Sequence, residues 1–429
     1  MRSSLRYPLL LAAFAVLASA TPSVRAQGDS DAAFSDLDRE ERKSGSRKDS
    51  GNPQEDFRKA REQMRREVAE NMRQSAEDFV KLSAQMEAQY KDLTRKMLED
   101  RERLRKQMLQ QWDSFIESSN KQWVDYGAKG DSRSDVDFEK GEVAVEVLVP
   151  VEDAAPGKAK AKAVSDLDAG ERDRLKALAE EKIRAQMQRA LSQKEPGKAE
   201  VLKDQVKAAD GAVVTVAGAG RYVKEELAPR MQVEDKPVVA KDGKPRIKVT
   251  VRFDLAPGHL KVRAARYAPQ VERVAKKYDL EPALVFAVIH TESEFNPMAR
   301  SKAGALGLMQ LVPRTAANEA YRYLYKEDKL VTPDYLYDPD NNIMLGATYL
   351  YMLKTRHYGK LKDPANQRTL SIAAYNCGPG NVRKAITSRY DVDSMTNDQV
   401  LDLVRKHAPK ETQYYVPRVQ ERMALYGQM

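Results

Sequence analysis

The sequence predicts an α+β protein of several domains, on three observations. Apolar residues recur at helical spacing from Phe57 to Phe115, with neither Gly nor Pro from Gln54 until Gly127. Strict alternation then marks Val136-Asp137-Phe138, Glu142 to Val149 and Arg246 to Phe253. Beyond about residue 256 the pattern returns to helical spacing and no strand-like stretch follows, so this part is expected to be all-α. A length of 429 residues allows two or three domains with a sizeable core.

At the N-terminus, Arg2 and Arg6 precede the apolar run Leu9 to Leu17 and then small residues. Ala18-Ser19-Ala20 and Val24-Arg25-Ala26 fit small-x-Ala cleavage sites, so residues 1–26 read as a secretory signal peptide. That run is short for a membrane span, and no later stretch approaches one. The mature protein is therefore expected to be exported and soluble, without a transmembrane segment. Cys377 is the single cysteine, so no lipid-attachment site adjoins the cleavage sites and no internal disulfide can form. It reads as a small packed side chain.

Residues 27–52 are rich in Ser, Asp, Arg and Lys and suit a disordered tether. Asn52, Pro53 and Glu55 supply a cap, a first helical residue and a capping-box partner for a helix over 53–127. Its apolar residues recur about every 3.6 positions, as in a straight helix, although a hairpin is also compatible. The stripe is narrow and rich in Met, and acids and bases alternate around it. Self-association or a partner helix is its commonest use.

Residues 128–255 are expected to form a small α+β domain. It comprises a hairpin turning at Lys140-Gly141, a loop over 153–162, a helix from Leu167 to Leu191, and strands at Gly211 to Val216 and Arg246 to Phe253. In residues 256–429, helices are expected at Arg266 to Tyr278, Asn341 to His357, Thr369 to Tyr375, Val400 to Arg405 and Tyr414 to Tyr426.

The chemistry centres on Glu292. The run Ala283 to Ile289 is too apolar for a surface helix, Pro282 suits its first turn, and Asn296-Pro297 stops it. A carboxylate at the C-terminal end of a buried helix is opposed by desolvation and by the negative end of the helix dipole. Both raise its pKa towards what a general acid needs near neutral pH.

The string from Glu292 to Gln310, ESEFNPMARSKAGALGLMQ, resembles the catalytic signature of lytic transglycosylases of the goose-type lysozyme superfamily. Ala373-Ala374-Tyr375-Asn376 and Glu411-Thr412-Gln413-Tyr414-Tyr415-Val416 resemble later motifs of that family. The likeness covers roughly Pro257 to the C-terminus. Phe253-Asp254-Leu255, Pro257-Gly258-His259-Leu260 and Arg263-Ala264 resemble the junction in the membrane-bound lytic transglycosylase C group, which differs in bearing a lipid-modified Cys.

The resemblance implies a lysozyme-like fold for 256–429 and, as partner, the glycan strands of peptidoglycan, with no metal or cofactor. It implies non-hydrolytic cleavage of MurNAc–GlcNAc bonds, in which the muramoyl C6 hydroxyl attacks C1 to give a 1,6-anhydro product. Glu292 would act as acid and then base, oriented by Tyr415. Ser301 and Gln310 would bond the sugars, and Gly304, Ala305 and Gly307 would let backbone approach them. Met309 would pack under a ring or belong to the core, while Tyr375 and Asn376 would hold the N-acetyl group. Ser301 also reads as a turn serine, Gly304 and Gly307 equally as turn glycines, and Tyr415 as a core tyrosine.

Glu294 lies two positions on, where a helix would turn it away from Glu292. His290 reads as a satisfied core histidine, and the four histidines lack metal-ligand spacing. The net charge of +9 suits attraction to an anionic cell wall. The export signal and scattered charges argue against nucleic acid. Two alternatives remain: a hydrolytic muramidase on the same fold, and a glycan-binding scaffold acting through its long helix. On this reading, deletion of 54–126 would spare the chemistry.

Overall fold

A computed structural model describes residues 53–151, 162–196, 199–327 and 329–427. The expected signal peptide, the tether and nearly all of the 153–162 loop lie outside them. The chain divides into two compact units, residues 1–92 and 93–429.

Helix α1 runs without interruption from Pro53 to Met108. In the first unit its surface carries i,i+3 and i,i+4 ion pairs such as Glu55–Lys59 and Glu70–Arg73. Each adds a few tenths of a kcal/mol to helix stability, about 0.2–0.5 per pair. Met64 and Val80 on the same stretch are exposed.

The helix was expected to reach residue 127 and instead ends at Met108. The apolar spacing continues past that point for a different reason. Trp112 is buried, its indole N–H donates to Gly130 O at 2.6 Å, and the Arg133 guanidinium lies 4.0 Å above its ring. Phe115 stacks on Tyr126. These side chains cover a sheet, and Gln122–Tyr126 is itself strand β1.

The sheet is antiparallel, with β2 (Ser132–Asp137), β3 (Glu142–Pro150), β4 (Gln232–Val233), β5 (Val238–Val239) and β6 (Pro245–Asp254), in the order β1-β2-β3-β6-β4 and with β5 also on β6. The expected hairpin is β2–β3, where Val136 faces Val143 and Gly141 takes φ +70° in the turn. Helix α2, Ala169–Ser192, starts from a capping box between Asp168 and Glu171. Its Ile183 and Met187 join Val143, Val145, Val147, Val249 and Val251 in one core. Leu148, pointing to the opposite face, meets Met108 and Trp112.

Gly211 to Val216 is not a strand. Gly211, at φ +83°, closes a tight turn that pairs back on 206–208 through Val214 N–H to Val206 O. Val213 and Val216 are left exposed. A helical stretch follows at Ala219–Arg230.

The C-terminal part is helical, as expected. Its main elements are α3 (His259–Arg266), α4 (Ala268–Tyr278), α5 (Pro282–Ser293), α6 (Asn318–Tyr325), α7 (Pro339–Met352), α8 (Pro364–Cys377), α9 (Asn397–His407) and α10 (Lys410–Tyr426). Leu284 to Ile289 of α5 are all buried, which explains a helix apolar on every side.

This domain is pinned to the sheet domain. Arg263, fully buried on α3, lies 3.9 Å over the Phe138 ring. Its guanidinium donates to Glu195 Oε1 at 2.8 Å, Val201 O at 3.0 Å and Phe295 O at 2.6 Å. Tyr267 donates to the other Glu195 oxygen at 3.1 Å.

Candidate active site

Glu292 is the penultimate residue of α5. The chain leaves this helix through two left-handed residues, Glu294 at φ +50° and Phe295 at φ +59°. Each non-glycine residue there costs on the order of 1–2 kcal/mol, so packing has to hold the turn. Phe295 is fully buried against Tyr267, Phe286 and Tyr426. Glu294 is also buried, with His290 Nε2 at 2.8 Å, Arg422 Nη2 at 2.9 Å and Lys121 Nζ at 3.5 Å. Burial pushes the Glu294 carboxyl up, but these neighbours outweigh it and hold it below the usual range.

Glu292 has the opposite surroundings. The Tyr415 hydroxyl on α10 donates to its Oε1 at 2.7 Å. Burial pushes the Glu292 carboxyl up to about 7; the Tyr415 hydrogen bond works downward and the Glu411 charge upward. Burial and the nearby Glu292 hold the Tyr415 hydroxyl well above its usual pKa, so it remains a donor. Two carboxylates two residues apart thus titrate very differently, one suited to giving a proton and one to holding charge.

Around this pair, Tyr375 on α8 donates to Met309 O at 2.8 Å. Asn376 donates to Glu411 Oε1 at 3.2 Å and accepts from Thr412 Oγ1 at 2.7 Å. The motifs of α8 and α10 are therefore joined side by side.

The loop residues hold one another and the core beneath them. Met309 is fully buried, against Gly346 of α7, and is a core side chain rather than a floor for a sugar ring. Gly307 is likewise buried; a Cβ there would lie 2.2 Å from Leu336 O and 2.3 Å from Asn342 Nδ2. Its missing side chain makes room for the protein's own loop. Ser301 Oγ accepts from Ala305 N–H at 3.0 Å within its turn. Gln310 Nε2 donates to Ala299 O and Gly307 O, which also ties it into the loop. Gly304 takes φ +84° in that turn.

His290 is a core histidine, with Tyr426 Oη 3.0 Å from Nδ1. Cys377 is partly buried, its Sγ 3.2 Å from Ala373 O, and burial raises its thiol pKa. Among the described residues no group of three or more His, Cys, Asp or Glu side chains could hold a metal ion, and no helix is long and apolar enough to cross a membrane. Lys121 and Arg422 escape a sequence reading because nothing in their own neighbourhoods points to Glu294.

The family model described as "Transglycosylase SLT domain" matches residues 270–397. This part of the chain is similar to SLT domains. The match includes Glu292 and Asn376, while Tyr415 lies beyond it. A membrane-bound lytic murein transglycosylase C from Serratia proteamaculans is 36% identical over 183 residues, 41% of this chain and 51% of the relative. A protein of the same name from Cronobacter sakazakii is 35% identical over 189 residues, 42% of this chain and 52% of the relative. The chain thus spans about half the length of the curated relatives it matches. A solved inactive mutant of lytic transglycosylase Slt from Pseudomonas aeruginosa is 34% identical, with a TM-score of 0.32, over 37% of this chain and 24% of that one.

Proposed function

We propose that this chain is a peptidoglycan lytic transglycosylase. It cleaves MurNAc–GlcNAc β-1,4 bonds and leaves a 1,6-anhydromuramoyl end, with Glu292 as its single acid and base. The observation that carries the reading is the Tyr415–Glu292 contact at 2.7 Å, on a carboxyl raised to about 7. Near neutral pH such a carboxyl is available in both forms, as a group that gives and then takes a proton requires.

In the first step protonated Glu292 gives its proton to the glycosidic oxygen as the C1–O bond breaks. In the second, the muramoyl C6 hydroxyl oxygen bonds to C1 and its proton passes to the Glu292 carboxylate, restoring the acid. Water is not consumed. Hydrolytic glycosidases set a second carboxylate across the bond. Glu294 is held in its ion cluster, and Glu411 is hydrogen-bonded to Asn376. The relatives' name, lytic murein transglycosylase, agrees with a glycan substrate in the cell wall, and the leader-like N-terminus with export to the periplasm. The exposed Met64 and Val80 of α1 suit pairing with a second copy.

Glu292→Gln tests the assignment. It is expected to fold, bind glycan strands and lose essentially all turnover; near-wild-type turnover would overturn it. Mass spectrometry of products from sacculi separates anhydro ends from reducing ends, which carry one more water, and reducing ends would make the chain a muramidase.

A further inference from the structure

The C-terminal end of α5 is finished partly by backbone donors of the turn that follows and partly by side chains from other elements. An α-helix leaves its last carbonyls without intrahelical donors, and each needs one from elsewhere. His290 O, which already takes the Glu294 N–H at 3.1 Å, also receives Arg422 Nη1 at 2.7 Å from α10, and Ser293 O receives the Asn296 N–H at 2.9 Å. Glu292 O receives Asn120 Nδ2 at 3.3 Å, from the segment that leads into β1 of the sheet domain.

That segment holds the helix end in further ways. Asn296 Nδ2 reaches back to Ser119 O at 3.4 Å, and Lys121 Nζ lies 3.5 Å from buried Glu294. The segment is itself built rigidly. Ser119 N–H donates to Gln122 O at 3.1 Å, and Ser119 Oγ accepts from the N–H groups of Lys121 and Gln122. Lys121 O takes the Phe138 N–H at 3.0 Å, and its ammonium pairs with Glu139, so the turn rests on the β2–β3 hairpin.

We propose that Asn120 and Lys121 are positioning residues for the acid: the sheet domain sets the placement of Glu292 by clasping its carbonyl and the left-handed residue two positions on. This rests on the reading of Glu292 as the proton donor. Neither side chain is required to touch substrate. Both act on the backbone that carries the carboxyl, and a displacement of about 1 Å at such a group costs about a hundredfold in rate. The sheet domain is then part of the catalytic apparatus rather than a spacer.

Full-length Asn120→Ala, Lys121→Met and their double variant are assayed on soluble, uncross-linked glycan strands, beside Lys121→Arg and Glu292→Gln. For the double variant, kcat is expected to fall about 10- to 100-fold with KM within about twofold of wild type. Tm should shift by only a few degrees, and Lys121→Arg should restore most of the rate. Wild-type kcat in the double variant, or a loss carried by KM alone, overturns the proposal. If the double variant does not fold, Lys121→Met alone decides by the same criteria. An inactive Glu292→Gln beside an unimpaired double variant removes only the positioning role; an active Glu292→Gln removes the acid assignment and the proposal with it.

Discussion

Tyr415→Phe removes the hydroxyl that lies 2.7 Å from Glu292 Oε1 and leaves the buried ring in place. The hydrogen bond stabilises the carboxylate, so losing it raises the pKa of Glu292 further above about 7. A net bond to a charged acceptor contributes about 1.5 kcal/mol at the lower end, and one pH unit corresponds to 1.36 kcal/mol. The alkaline limb of kcat/KM, which reports the acid of the free enzyme, is therefore expected to move from near 7 to about 8. On the acidic plateau, where Glu292 is protonated in both proteins, the variant loses several-fold to a hundredfold in rate, on the order of 1–3 kcal/mol of orientation. The gap between the two proteins should narrow as pH rises through 7. The assay is release of anhydromuropeptides from soluble glycan strands between pH 5 and 9. A limb that stays put or moves down would refute the assignment of Tyr415 as donor to the acid. Linkage gives a second readout with a definite sign. The pKa of Glu292 is raised on folding, from 4.5 to about 7, so its contribution to stability is fully present below 4.5 and lost as pH rises through about 7. That loss is roughly 3 kcal/mol.

Three further outcomes follow from the packing. Gly307→Ala places a Cβ 2.2 Å from Leu336 O at φ +75°, and should cost about 3 kcal/mol of stability by thermal or urea unfolding. Arg263→Met leaves Glu195 without its shortest partner. It should cost about 3 kcal/mol, the lower end for a broken buried pair, because Arg266 Nη1 remains 3.4 Å away. Removal of residues 27–92 should preserve glycan cleavage and abolish any self-association seen by light scattering; lost cleavage in a folded truncation would show that the first unit contributes to the chemistry. The cut cannot extend to Tyr126, because Trp112, Asn120 and β1 lie within that range.

Glu292 was legible because its helix is apolar on every face, a pattern that only burial explains, and because the motif around it is long. Tyr415 was legible from its motif alone. The same motif left Gly307 and Met309 open between sugar contact and loop support, since a pattern of residue types does not distinguish those that touch a ligand from those that support the loop beneath it. The end of α1 was hidden because Trp112 and Phe115 keep a helical spacing while packing on a sheet. The ion cluster was illegible for a simpler reason: Lys121, Glu294 and Arg422 are brought together by tertiary structure, with no local periodicity to connect them. Strands β4 and β5 are two residues each, too short for any alternation to register.

The buried arginine between sheet and helices has a mechanical meaning. Parting the two domains would strand the Arg263 guanidinium and the Glu195 carboxylate in a seam where water must re-enter before either charge is satisfied. The seam also carries the Phe295 carbonyl and the stacked Tyr267 and Phe295 rings, so its opening would release the turn just after the acid. Residues 93–429 therefore have no inexpensive hinge at this junction and should melt in one cooperative transition, with loss of activity and loss of the sheet at the same temperature.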